Sequence, residues 1–175
     1  MKKYYIIGAI VLFAGVLINY KFGGFDKVEP QLIEVNDYII YGRNYEGSYK
    51  SNALNSLVND MRLQQEQLNP KANVVIVNYI DEAKETLGIV SNFVGLSGVA
   101  TPNEELIGLE KRVIKASKSV RVVVKIKPLA MPSPEKIKAK AFKLAKEEGL
   151  ELQNLSIEQY NENGTLIIDF PVMVL

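Results

Sequence analysis

The sequence predicts an α+β domain: duplicated βαββ units forming one antiparallel-rich sheet, with two helices on one face and a central cleft, preceded by one transmembrane helix. Three observations predict it. An uncharged apolar run opens the chain, the order strand, helix, strand, strand then occurs twice, and the two copies echo each other residue by residue.

The chain has 175 residues, of which 47% are hydrophobic. Behind the apolar run about 150 remain, enough for one domain with its own core. The formal net charge is +1, so the chain has no basic excess to pair with phosphates, and nucleic acid is not expected as a partner. The absence of cysteine and histidine removes disulfides, thiolate chemistry and the commonest metal ligand and general base. No catalytic residue, metal site or cofactor is expected.

Tyr4 to Tyr20 contains no charged side chain and is bracketed by Lys2, Lys3 and Lys21. As a helix it spans about 26 Å, near the thickness of a hydrocarbon core, with Tyr4, Tyr5 and Tyr20 placed as interfacial aromatics. The flank Ile18-Asn19-Tyr20-Lys21-Phe22 lacks a small-x-small cleavage site. Residues 1–25 therefore read as a single-pass membrane anchor and residues 26–175 as the domain. The lysine balance favours a cytoplasmic N-terminus and an extracytoplasmic domain.

The first unit covers about 31–95. Leu32 to Tyr41 is a strand broken by a bend at Asn36-Asp37, and Gly42 to Tyr49 is a turn-rich link. Ser51 to Leu68 is a helix with Leu54, Leu57, Val58, Met61 and Leu68 in one stripe, ended by Asn69-Pro70. Asn73 to Ile80 is a strand, Asp81 to Glu85 a polar turn, and Thr86 to Val94 its hairpin partner. Thr101 to Glu105 has the look of a helix start.

The second unit covers about 111–175. Lys111 to Lys127 is extended, and Ser133-Pro134-Glu135 caps a helix running to Glu148 with Ile137, Ala141, Leu144 and Ala145 inward. Gly149 closes that helix; strands at 155–160 and 165–174 follow, joined by Asn-Glu-Asn-Gly. Ile76-Val77-Asn78-Tyr79 aligns with Ile157-Glu158-Gln159-Tyr160, and Thr86-Leu87-Gly88-Ile89 with Thr165-Leu166-Ile167-Ile168. Two such units join their sheets side by side, which puts both helices on one face and leaves a cleft on the other.

Four segments carry a resemblance that covers about Gln31 to Val174. They are Tyr41-Gly42-x-x-Tyr45-x-Gly47-x-Tyr49, Asn78-Tyr79-Ile80-Asp81, Gly88-Ile89-Val90 and Ile168-Asp169-Phe170-Pro171-Val172. In their order and spacing the chain resembles the GyrI-like, or bacterial effector-binding (AraC-type effector-binding), small-molecule-binding family. The resemblance implies an amphipathic or cationic ligand, held by aromatic walls and a buried acid. The absence of tryptophan departs from family members that stack ligands on indole.

Glu158 is the first site residue, because its aligned counterpart, Val77, is apolar. Facing the cleft, it would welcome a cation. Tyr41, Tyr45, Tyr49, Tyr79 and Tyr160 are wall candidates, and Glu46 a candidate at the mouth; as ordinary strand residues they would only cap a core. Gly42 and Gly47 are read as structural. Arg121, Lys125 and Lys127 form a basic strip, and the lysines from Lys136 to Lys146 an exposed helix face. The expected function is a membrane-anchored small-molecule-binding domain. A cleft filled by its own side chains would favour a membrane-tethered protein-interaction module with a protein partner, and a tyrosine or acid beside Glu158 a His-independent hydrolase.

Overall fold

The computed structural model describes residues 28–68, 70–99, 108–126, 131–161 and 163–174. The anchor and the helix start at Thr101 to Glu105 lie outside these. Among the described residues no helix is long and apolar enough to cross a membrane.

Eight strands form one sheet: β1 (Gln31–Glu34), β2 (Tyr38–Ser48), β3 (Asn73–Tyr79), β4 (Ile89–Ser97), β5 (Glu110–Ile114), β6 (Lys118–Lys125), β7 (Leu155–Asn161) and β8 (Thr165–Pro171). The helices are α1 (Asn52–Leu68), α2 (Glu82–Thr86) and α3 (Pro134–Glu147). Local chemistry explains the helix ends. The Ser133 hydroxyl accepts the Lys136 N–H, Pro134 opens α3, and Gly149 takes φ 65° just beyond its end. The Asp81 carboxylate accepts the N–H groups of Ala83 and Lys84, so the polar turn of the first hairpin winds into α2.

The strand order is β1-β6-β8-β7-β3-β4-β2-β5, with every neighbouring pair antiparallel. The order is symmetric about the β7–β3 seam: β6-β8-β7 with α3 on one side, β3-β4-β2 with α1 on the other. Two lengths of chain connect the far ends. β1 and β2 are separated by residues 35–37, yet lie six strands apart in the order. A flat sheet would put them about 29 Å apart, whereas the link reaches only about 14 Å. The sheet must therefore curl until its ends meet.

The register shows how. Glu34 pairs with Lys118 in one half and Tyr38 with Ile114 in the other, so β1–β2 and β5–β6 are two long strands bent in step. The ladder continues through the bend, where the Val35 N–H donates to the Ser117 carbonyl at 3.0 Å. Asp37 accepts the Ala116 N–H at 3.1 Å and pairs with Lys115 at 2.7 Å. The strand expected at 32–41 thus bends at 35–37, where Asn36-Asp37 predicts it, whereas the single extended stretch expected at 111–127 is broken at 115–117.

Directly paired residues share a face of the sheet. Ile76, Glu158 and Ile168 lie in one row across β3, β7 and β8. Ile76 packs with Met61 of α1, and Ile168 with Ile137 and Ala141 of α3. Both helices therefore cover this outer face, as the sequence predicts. The inner face, which neither α1 nor α3 covers, was expected to hold a cleft. It holds a core of Ile40, Val75, Val77, Phe93, Ile114, Leu155 and Ile157 instead. The curl brings the two half-sheets toward each other over this core, with Tyr38 and Tyr79 packed against it.

Gly42 and Gly95 make the curl possible. They pair directly across β2 and β4, where a Cβ on Gly42 would stand 2.7 Å from the Gly95 Cα. The segment Gly42 to Tyr49, rich in Gly, Asn and Ser and expected as a link, is for the most part the second half of β2. Its first glycine serves close approach between strands rather than a turn.

A buried ion pair clamps the inner face. Asp169, 4% exposed, receives two hydrogen bonds at 2.7 Å from Arg121 and one at 2.9 Å from the Tyr38 hydroxyl. Burial pushes the Tyr38 phenol above its ordinary range, so it stays a donor. Arg121 is thus committed to this pair and is not part of a solvated basic strip. Lys125 is exposed, and Lys127 lies outside the described residues.

Gly42→Ala will lower stability by about 1–3 kcal/mol through backbone overpacking, read as a fall in the denaturation midpoint at an unchanged slope. Asp169→Ala strands a guanidinium. Because Arg121 keeps 35% of its side chain exposed, the expected loss is on the order of 2 kcal/mol, below that of a fully buried pair.

Candidate functional site

On the outer face α1 and α3 each cover one half of the sheet, and β7 and β3 form the floor between them. Ser156, Glu158 and Tyr160 alternate along β7 toward this face, and the register places Ile76 opposite Glu158 and Asn78 opposite Ser156. Asn78 Nδ2 lies 3.5 Å from Ser156 Oγ. Phe142 stands on the flank of α3 nearest the floor, its ring edge-on to Phe170 of β8 at a centroid distance of 6.3 Å.

Glu158 is half-buried and accepts a 2.9 Å hydrogen bond from the Tyr160 hydroxyl. Burial pushes its carboxyl above the usual range, against the opposing pull of Tyr160 and Asn78. The Tyr160 phenol is pushed up by its own burial and by the neighbouring carboxylate. A partly desolvated acid with an aromatic neighbour gains most from a cation that brings apolar surface with it. The same pair also has the tyrosine contact that the hydrolase reading requires.

Of the seven residues the sequence singles out, Glu158 and Tyr160 come together here. Tyr41 and Tyr45 face outward on β2, beyond β3 and β4 from β7. The Tyr45 ring lies over Gly47, and its hydroxyl donates to the Ser48 carbonyl at 2.9 Å. Tyr49 is exposed beside Gly88 and Lys50. Tyr79 belongs to the inner face, where its oxygen accepts from Arg112 at 2.6 Å. Glu46 pairs with Lys84 at 2.7 Å, and this pair holds its carboxyl below the ordinary value.

The alignment of Glu158 with Val77 also changes. Val77 pairs with Ile157 on the inner face, while Glu158 points outward. A slip of one residue exchanges the faces of a strand, so the apolar counterpart says nothing about the environment of Glu158. Sequence reasoning passed over Asn78, Ser156 and Phe142. For Phe142 a signal exists: it is an aromatic off the apolar stripe of Ile137, Ala141 and Ala145.

No protein-family model and no curated protein matches the chain. Solved structures do share its fold. It is similar to the EcmrR C-terminal domain, at 17% identity and a TM-score of 0.57, over 85% of this chain and 99% of that one. It is similar to an uncharacterized conserved protein from Listeria innocua, at 12% identity and TM-score 0.58, over 83% of this chain and 92% of that one. A hydrolase from Listeria innocua aligns at 13% identity and TM-score 0.56, over 89% of this chain and 98% of that one. At such identities the likeness is one of fold, and it supports the GyrI-like fold that the sequence resembles.

A carboxyl with a raised pKa in the native state binds a proton there that the unfolded chain releases. Stability will fall as pH rises from the ordinary glutamate value through the raised one. Glu158→Gln will flatten that slope and exceed the parent protein in stability above it, as measured by denaturant unfolding across a pH series.

Proposed function

We propose that this chain is a membrane-anchored small-molecule-binding domain taking an amphipathic, cationic ligand in the groove between α1 and α3. The observation that carries the reading is Glu158: a half-buried acid on the groove floor, beside the Tyr160 hydroxyl, with its proton affinity raised by burial. The fold shared with the EcmrR C-terminal domain supports it. Residues 4–20 supply the anchor, with the N-terminus cytoplasmic and the domain outside. Phe142 and Tyr160 provide aromatic surface, and Asn78 and Ser156 polar orientation.

Tetraphenylphosphonium is a suitable probe, because tetraphenylborate matches its shape with opposite charge. A hundredfold excess over the dissociation constant should raise the melting temperature of the chain by on the order of 5 °C. The borate should not, and Glu158→Gln should abolish the shift. No response to lipophilic cations, an equal response to the anion, or an unchanged response in Glu158→Gln would each sink the reading.

One observation favours protein interaction instead. The inner face is filled by its own core, and Ile39 and Val113, a directly paired couple on β2 and the edge strand β5, are 45% and 43% exposed. A stoichiometric protein retained through purification in mild detergent would shift the assignment to that reading.

A further inference from the structure

The path of the chain into the domain sets which surface lies next to the anchor. Val28 is buried in the core beneath α3, and its carbonyl accepts a 2.8 Å hydrogen bond from Lys140 Nζ. The apolar run ends at Tyr20, so Val28 lies within about 27 Å of it even with the link fully extended. The flank of α3 beside Val28 is held within that radius.

That flank is basic. Lys136, Lys140 and Lys143 follow at i, i+4 and i+7 on the side of α3 that carries the Val28 contact, away from Phe142 and the groove. Lys136, Lys143 and Lys146 are exposed. The helix carries five lysines against two glutamates, of which Glu147 sits beside Lys143 at 3.7 Å. A lysine extends its charge on an apolar stem and gains little from a lone surface acid. Several lysines close to an anionic lipid surface act together, each multiplying the docked population about fivefold.

We propose that this lysine flank of α3 docks on the anionic headgroups of the membrane that holds the anchor. The proposal rests on the reading of residues 4–20 as a membrane span. It adds to that reading a second, electrostatic attachment, which orients the domain instead of leaving it free on its tether.

The chain contains no cysteine, so one introduced thiol carries a single spin label. Ala139→Cys reports on the exposed side of α3, and Leu63→Cys, at an exposed position of α1, serves as reference. The full chain is placed in nanodiscs of phosphatidylcholine with or without phosphatidylglycerol, and each label is tested against a headgroup-bound and a water-soluble relaxing agent. The Ala139→Cys label should meet the headgroup-bound agent in phosphatidylglycerol discs. This contact should fall more than tenfold in pure phosphatidylcholine and in K136Q/K143Q, while the Leu63→Cys label stays in water throughout. An Ala139→Cys label as water-accessible as the reference in anionic discs overturns the docking and leaves the anchor standing. A chain that does not enter the discs overturns both.

Discussion

The structure depends on two long strands bent in step. Residues 35–37 and 115–117 are short links between places that a flat sheet would hold far apart. Connectivity alone therefore forces the curl, and the bends are where it is secured. The Val35 N–H to Ser117 carbonyl hydrogen bond spans them, Asp37 binds across the crossing, and Asp169 gathers Arg121 of β6 and Tyr38 of β2. Glycines at 42 and 95 let the backbones approach where a side chain would hold them apart.

The curl decides which face of each strand becomes core. A sheet that closes on its inner face must fill that face with its own side chains, which it does with Phe93, Val77, Ile157 and their neighbours. Among the described residues, α1 and α3 cover the outer face, each over its own half. The seam between the halves, β7 and β3, lies between the helices, and its outward residues include polar ones: Ser156, Glu158 and Asn78. The acid thus lies at the symmetry seam, on the face of the sheet that carries the two helices. Its elevated proton affinity is the electrostatic cost of that place. A bound cation would relieve it.

Much of the fold was legible in the sequence, for local reasons. The Leu54–Met61 stripe, the Ser133-Pro134 cap, Gly149 and the Asn-Glu-Asn-Gly turn are signals contained within a few residues, and the structure forms α1, α3 and the β7–β8 hairpin where they point. The segment from Gly42 was not legible. Its glycine and asparagine read as a turn because their use, a close approach to β4, involves a strand about fifty residues away in the chain. The site was half legible. Glu158 and Tyr160 stand two apart on one strand, so they necessarily share a face, and the sequence placed them together. Tyr41, Tyr45, Tyr49 and Tyr79 look equivalent to Tyr160 as residues, yet the register sends them to other places.

The sequence by itself determined the α+β class, the doubled order of elements and the positions of the two long helices, because periodicity and capping are short-range. Only the tertiary structure decided which face closes, which way Glu158 points and that Phe142 packs on Phe170 of β8. Those follow from strand register and from the curl imposed by two short links. Both are relations between distant parts of the chain, and a one-residue shift in either would exchange core for surface.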